Sequence, residues 1–457
     1  MHSDIFKDKL ILAPMVRESN LPFRLLCLKY GADLVYSEEL IDHKFSRCRR
    51  LENRLLKTID FVDPCGDIVL RTCDEERGKL VLQIGSNDPN RALKAAKLAA
   101  GDIVGLDFNF GCPKPFSLSG GMGAALLEQP EKIEDLLRIC VKNLDIPVTC
   151  KIRILPDLEQ TLGLVKLIES CGVAAIAVHG RTKDQRSRHD NRDDVLTKIA
   201  ESIKIPMIAN GGSNSIKSYC DIIKFRDSVN ASSVMIARAA MKNPSVFCSS
   251  NSVQPIKQVI TEYLKLAVRY DNFIPNTKYT LQGMLSAGHF GGSFCKNVHQ
   301  CRDYRGLCGL FGLNEWYEEN QIKSTDYYDE GLQIEDSALV DYLTKVRDKI
   351  ESKNYRFICD DLIYNRKDHR ANLTPKAVFM EHVNRNSLGK PVIETVPLNN
   401  QHRFCCSIEY NQVGYINSTK CNSKKQAEQA TALLVCLHLG LIDKFPIGHE
   451  KAGINMT

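Results

Sequence analysis

No stretch of this chain approaches the ~20 consecutive apolar residues of a membrane-spanning helix, so a helical membrane protein is excluded. Met1 to Lys9 alternate charge with apolar character and hold no apolar run, so a secretory leader is not expected there. Internal repeats and low-complexity tracts are missing, and no separate nucleotide-binding fingerprint appears. Cysteine is not scarce, with 18 in 457 residues, but the spacing is irregular and runs through regular segments. That pattern does not resemble a disulfide framework and implies free or buried thiols in a reducing compartment. A soluble, cytoplasmic protein without a metal site is the expectation, with no membrane or DNA partner and a monomeric state. A formal charge of +6 permits a polyanionic partner without requiring one.

The composition is otherwise ordinary for a globular protein, with 43% hydrophobic and 25% charged residues. At ~150 residues per domain, the length suggests about three domains. Over 1–250, short β-branched runs alternate with longer amphipathic stretches. The strand candidates are 10–15, 34–38, 80–85, 104–110, 148–154, 175–179, 206–210 and 233–237. They are apolar on both faces, as strands covered by helices must be. This rhythm predicts an α/β fold, a closed (β/α)8 TIM barrel, with an open doubly wound sheet as the alternative. A helical segment follows over 251–335, then a charged helix-plus-linker stretch over 336–365. The order helix, three strands, helix is expected over 366–445, with a tail at 446–457. Thr374 and Ser423 are the N-cap candidates, Pro375 stands at a first helical position, and Asn399-Asn400 and Asn411-Gln412 mark turns.

Catalytic groups in such a barrel sit at the C-terminal ends of the strands. Strand one ends Ala13-Pro14-Met15-Val16, strand three carries Gln83, and strand four ends Asn109-Phe110-Gly111-Cys112-Pro113-Lys114. Strand five carries Lys151 and Arg153, and strand six ends His179-Gly180-Arg181. Strand seven ends Asn210-Gly211-Gly212, and strand eight Ala237-Arg238-Ala239. The last two loops are the usual phosphate site of a barrel, where glycines admit an anion to backbone N–H groups and Arg238 offers a forked cation. On its own, Gly211-Gly212 also reads as a tight turn and Arg238 as a surface residue. An amide, a lysine and a histidine at one mouth can hydrogen-bond the pyrimidine edge of a flavin, and Lys151 can stabilise its charge when reduced. Taken singly, Gln83 also reads as a helix cap, His179 as a core histidine and Lys151 as the partner of an acid. Pro113 drives Cys112 out of helical geometry, and a thiol near ~8.5 keeps its proton at neutral pH and suits a general acid. One more buried thiol is the alternative. The loop Gly120-Gly121-Met122-Gly123 reads as a lid or a turn.

Taken in order, Ala13-Pro14-Met15, Asn109-Phe110-Gly111-Cys112-Pro113, Gly120-Gly121-Met122-Gly123-Ala124, Lys151-Ile152-Arg153, His179-Gly180-Arg181 and Asn210-Gly211-Gly212 resemble the dihydrouridine synthases. With its C-terminal extension, the chain resembles their eukaryotic dihydrouridine synthase 2 branch, which acts on uridine 20 of tRNA. The resemblance implies FMN, reduced by NADPH and held by Pro14, Met15, Val16, Gln83, Lys151, His179, Asn210, Gly211, Gly212, Ala237 and Arg238. It implies hydride transfer from flavin N5 to C6 of the uracil, a proton from Cys112 to C5, and orientation of the base by Asn109 and Arg153. The helical segment matches at Asn276-Thr277-Lys278-Tyr279, although 284–312 is more glycine-rich than the family pattern.

The 366–445 order, with Ser423-Lys424-Lys425-Gln426 opening its last helix, resembles a double-stranded-RNA-binding domain. Lysines at a helix N-terminus can meet phosphates across the RNA major groove. Lys424 and Lys425, with the preceding basic run that contains Arg366 and Lys367, are therefore the expected contacts to a tRNA stem. Two other readings stand: an RNA-binding protein with an idle barrel, and a flavin barrel acting on a small pyrimidine, similar to a dihydroorotate dehydrogenase. Intact Cys112, Lys151 and His179 count against the first, and the RNA-binding extension against the second.

Overall fold

The apolar runs in the first half divide their residues between two cores. Leu10 and Leu12 face the helical layer while Ile11 and Ala13 face inward, and Ile176 and Val178 alternate in the same way with Ala175 and Ala177. This period of two places every second side chain in the barrel interior. The strands are β1 (Leu10–Leu12), β2 (Leu34–Tyr36), β3 (Leu80–Gly85), β4 (Gly105–Asn109), β5 (Val148–Arg153), β6 (Ala175–His179), β7 (Met207–Asn210) and β8 (Ser233–Ile236). Each pairs in parallel with the next, and β8 returns to β1 with Val234 beside Leu10, closing the (β/α)8 barrel. Phe6 plugs the N-terminal end, where the Ser233 hydroxyl donates to its carbonyl at 2.6 Å. The open-sheet alternative is thereby excluded.

The computed structural model describes residues 2–63, 67–186, 188–212, 214–250, 252–286, 290–322, 337–360, 374–386, 389–398, 403–418 and 423–442, with 362, 364 and 421. Two units emerge, Met1–Asp329 and Glu330–Thr457. Among the described residues, no helix is long and apolar enough to cross a membrane.

Between β2 and β3 the chain makes an excursion that the strand–helix rhythm does not predict. Leu40–Ile41 extends the sheet beside Ile84 and Gly85. Three antiparallel strands follow, Arg49–Asn53, Thr58–Val62 and Ile68–Cys73. Their buried Asp60 accepts from Arg71 Nε at 2.7 Å, and Arg71 also donates to the Tyr270 carbonyl at 2.6 Å. That cation ties the excursion to the helical segment. Arg24, on the helix Leu21–Lys29, is buried against Glu76 at 2.6 and 2.8 Å and donates to the carbonyls of Ser19 and Arg71, both at 2.7 Å.

The helical segment packs on the barrel rather than apart from it. In Ile256–Arg269 the buried residues Val259, Ile260, Tyr263, Leu264 and Ala267 recur at helical spacing. They share one core with the barrel's outer side, where Phe23 meets Tyr263 edge-on at 6.4 Å. Past the glycine-rich stretch, Gly292–Gln300 and Tyr304–Leu310 are helical.

Glu18, in the loop after β1, is 1% exposed, and among the described residues neither of its carboxylate oxygens has a hydrogen-bond partner. Burial, against a weaker opposing contact from Thr280, pushes this carboxyl from 4.5 up to about 8. The folded chain thus holds a proton that the unfolded chain has released, and stability falls as pH rises through that interval. Glu18→Gln removes the titration. At pH 8.5 it should exceed the wild type by about 2 kcal/mol, converging with it near pH 5, as denaturant midpoints at the two pH values will show.

In the second unit, Val392–Leu398, Arg403–Tyr410 and Val413–Asn417 form an antiparallel sheet. Asn411 and Gln412, both at positive φ, make the tight turn between the last two strands. The helices Pro375–Asn386 and Lys424–His438 bury Phe379, Ala430 and Leu433 with Ile408 and Tyr415 in a separate core. This is the α-β-β-β-α order of a double-stranded-RNA-binding fold. The Thr374 hydroxyl accepts from Ala377 N at 3.3 Å, as an N-cap does. Of the helix-plus-linker stretch expected over 336–365, the helix is present as Ser337–Glu351. The linker part needs correction, since it carries a strand, Arg356–Asp360, which pairs in parallel with Val413–Asn417 as a fourth strand. It is an edge strand that buries little, with charged Arg356 and Asp360 at its two ends. The Asn399-Asn400 turn and the 446–457 tail lie outside the described residues.

Candidate functional site

Strand register brings the barrel candidates to one level. Asn109 stands beside Lys151, Arg153 beside His179, and His179 beside Asn210. Beneath them lies the fully buried Asp107, which accepts from Gln83 Nε2 at 2.8 Å and from Thr149 Oγ1 at 2.7 Å. Gln83 is therefore a member of a polar network and not a helix cap. Its oxygen accepts from Asn109 Nδ2 at 3.3 Å, and Asn109 Oδ1 accepts from Gly111 N at 3.0 Å. The Asn109 carboxamide thus shapes the turn that leads to Cys112.

Lys151 is partly buried, and among the described residues no ion pair or hydrogen bond holds its ammonium. Burial, reinforced by Arg153, pushes it down to about 8. The reading of Lys151 as an acid's partner falls: Asp107 and Glu39 act on it only at longer range. Burial and then the charges of Lys151, Arg153, Arg181 and Arg238 hold His179 far below its ordinary value, so the ring is neutral. Arg181, 1% exposed, lies 3.1 Å from His179 Nε2 and donates to the Gly211 carbonyl at 2.9 Å. Because a guanidinium only donates, His179 carries its proton on Nδ1.

Gly211 sits at φ +127°, where a β-carbon would collide with Asn191 and lie 3.0 Å from His179 Cδ2. Only glycine fits there. Asn210 Nδ2 donates to the Met235 carbonyl at 2.7 Å, locking β7 to β8. Ala237 leads into the short helix Arg238–Lys242, and burial lowers Arg238 with no carboxylate opposing it. On the far side Met15 N donates to Ser19 Oγ at 3.0 Å, which shapes the turn of Pro14, Met15 and Val16.

Cys112 is half-buried three residues beyond β4. Its carbonyl accepts from Ala124 N at 3.0 Å, and a β-carbon on Gly123, at φ +58°, would lie 2.6 Å from that carbonyl oxygen. The glycine-rich loop is therefore a close-packed support for Cys112. Arg153 braces the other side, donating to the carbonyls of Gly111 at 2.8 Å and Thr182 at 3.0 Å. Burial, then the charge of Glu39, raises the thiol above its ordinary value and keeps the proton on sulfur.

The residues fit a flavin. A lysine without an ion-pair partner among the described residues, a neutral histidine and two amides suit the pyrimidine edge of the ring. A glycine turn with Arg238 suits a phosphate. Four participants were not among the sequence candidates. Asp107, a charge inside an apolar strand, was readable as a signal, and Arg181 stood inside a motif already noted. Glu39 was one of a tandem pair of glutamates. Asn191, in a polar loop, gave no signal.

In the second unit, Lys424 and Lys425 are exposed at the N-terminus of their helix, and Ser423 Oγ accepts from Gln426 N at 3.2 Å. Arg366 and Lys367 lie outside the described residues.

The family model described as Dihydrouridine synthase (Dus) matches residues 11–305. The chain belongs to the dihydrouridine synthase family. Over 306 residues it is 38% identical to the tRNA-dihydrouridine(20) synthase (NAD(P)+) of Schizosaccharomyces pombe, covering 65% of this chain and 62% of that one. Over 294 residues it is 37% identical to the synthase of the same name from Saccharomyces cerevisiae, covering 60% and 77%. The chain thus spans less than two thirds of the fission-yeast synthase and more than three quarters of the budding-yeast one. A crystal structure of a tRNA-dihydrouridine(20) synthase dsRBD domain is 30% identical and covers 19% of this chain and 92% of that one, at a TM-score of 0.18. The family match extends through the barrel and into the helical segment, so it takes in every barrel candidate from Pro14 to Arg238.

Proposed function

We propose that this chain is a cytoplasmic, monomeric tRNA-dihydrouridine synthase that reduces the C5–C6 bond of uridine 20 in the D-loop. The observation that carries the proposal is the placement of a protonated thiol, Cys112, at the same barrel mouth as the unpaired Lys151 and neutral His179. FMN, when bound and reduced by NADPH, would supply the hydride for C6 of the uracil. The chain's own residues do the rest. Cys112 gives its proton to C5 as negative charge builds there, because a hydride-accepting enone needs an acid at the neighbouring carbon. Asn109, held by Gln83, presents its carboxamide to the base, and Arg153 offers the guanidinium nitrogen not spent on backbone. Lys151 would balance negative charge at the pyrimidine edge of the cofactor, and Gly211, Gly212, Ala237 and Arg238 would hold its phosphate. The target base must leave its stack to enter the barrel mouth. The names of the yeast relatives, both tRNA-dihydrouridine(20) synthases, support the choice of position.

The second unit supports tRNA as the substrate over a free pyrimidine. Its exposed lysine pair at a helix N-terminus suits phosphates facing an RNA groove. Charge reversal of both, Lys424→Glu with Lys425→Glu, should weaken tRNA binding and flatten the plot of log affinity against log salt by about 1–2. Filter binding over a salt series reads this, and an unchanged slope would count against contact by these lysines.

The test of the function is direct. The purified protein should be yellow, should oxidise NADPH when given unmodified tRNA, and should leave a gain of two hydrogens at uridine 20 by mass mapping. A colourless protein, or flavin turnover with free uracil but not tRNA, would overturn it.

A further inference from the structure

A cleft of about 800 Å³ opens between the excursion after β2 and the helical segment. Ser19, whose hydroxyl shapes the Met15 turn, lines it, so the cleft and the barrel mouth share a rim. Phe273 also lines it, at the head of the helix Ile274–Leu285, and is 67% exposed. A lone exposed aromatic is ordinary on a protein surface, but this one stands on a pinned turn. Arg71 holds the Tyr270 carbonyl at 2.6 Å, and the Tyr304 hydroxyl donates to the Asn272 carbonyl at 2.6 Å. Asn272 Nδ2 donates in turn to Thr277 Oγ1 at 2.8 Å. The backbone that presents the ring is therefore fixed before anything binds. Beside it in the cleft, the Asn276 carboxamide has no hydrogen-bond partner among the described residues.

The charges of the cleft limit what can enter. Four carboxylates, of Glu38, Asp67, Asp271 and Asp303, line it against three guanidiniums. Two of those three, Arg24 and Arg71, are spent on Glu76 and Asp60. Such a lining repels an RNA phosphate and admits an uncharged base, whose N–H groups suit carboxylate and amide acceptors. The volume accommodates a nucleotide, and bases of any identity stack on an exposed aromatic ring. We propose that this cleft receives the base of a nucleotide flanking the target uridine, stacked on Phe273 with its edge towards Asn276. The proposal rests on the reading of tRNA as the substrate. When the uridine enters the barrel mouth, its covalent neighbour is carried to the shared rim. Seating that neighbour then helps select which uridine is presented.

The experiment is a binding cycle on the full chain, read by filter binding. The probes are unmodified tRNA and two tRNAs made abasic at the 5′ or the 3′ neighbour of the target uridine. Phe273→Ala should weaken binding of intact tRNA about tenfold, the scale of one base–aromatic stack, and Phe273→Trp should retain it. At one of the two neighbours, removing the base should cost the wild type a similar factor. At that same neighbour it should cost Phe273→Ala less than about twofold. Any change in the folding of the tRNA itself falls on both proteins alike and cancels in the cycle. Losses that multiply independently at both neighbours overturn the proposal, as does binding of intact tRNA by Phe273→Ala at wild-type strength. A protein that shows the cycle yet leaves the tRNA unreduced upholds the cleft as a base site, and only the functional reading falls.

Discussion

Cys112→Ala is expected to keep its flavin and to lose about 10²–10⁴-fold in the rate of uridine reduction, the range a positioned general acid supplies. The size of the loss follows from what else stands at the mouth. Lys151 belongs to the pyrimidine edge of the cofactor, and His179 is neutral with Arg181 against its Nε2. Arg153 holds two backbone carbonyls and does not give up a proton at neutral pH. Among the described residues at the mouth, Cys112 combines a proton held at neutral pH with a backbone braced from two sides. The flavin should stay because none of the residues assigned to it lean on the Cys112 side chain; the supports run through the carbonyls of Gly111 and Cys112. Stopped-flow reoxidation of the NADPH-reduced protein by unmodified tRNA measures the step, and the flavin spectrum measures occupancy. Turnover at the wild-type rate would remove the thiol from the mechanism.

The second large effect concerns stability. Arg24→Met should cost the first unit about 3–5 kcal/mol, because it strands the buried Glu76 carboxylate without the guanidinium that pairs with it. Both side chains are almost completely buried, at 2% and 0% exposure, and they meet through two contacts. The same guanidinium holds the carbonyls of Ser19 and Arg71, so its loss also loosens the turn at Met15 and the strand Ile68–Cys73. Flavin occupancy should therefore fall along with stability. Trp316 is the only tryptophan and lies in the first unit, so its fluorescence in urea reports that unit alone. The double variant Arg24→Met with Glu76→Leu should recover much of the loss, since removing both charges costs far less than removing one. A single-variant loss below about 1 kcal/mol would show the pair to be hydrated and of little consequence.

The barrel was legible because its strands are short apolar runs at regular spacing, and because parallel strands buried on both sides need such runs. Polar residues at the ends of those runs, from Gln83 to Arg238, were legible for the same reason: once the strands are placed, topology alone puts their ends at one mouth. The excursion over 40–73 was not legible. Its strands are held by Asp60, Arg71 and Asn53 in a buried polar network, and polar residues in a sequence look like loop. The strand Arg356–Asp360 was missed because edge strands bury little and need no apolar alternation.

By itself the sequence determined the closed barrel, the α-β-β-β-α order of the second unit, and the set of side chains at the strand ends. Those follow from local periodicity and from motifs a few residues long. Only the tertiary structure decided the protonation of those side chains. The neutrality of His179, the unpaired state of Lys151 and the retained proton on Cys112 depend on burial and on charges brought from other strands, such as Arg181 and Glu39. Electrostatic energy falls off with distance through space and takes no account of separation along the chain.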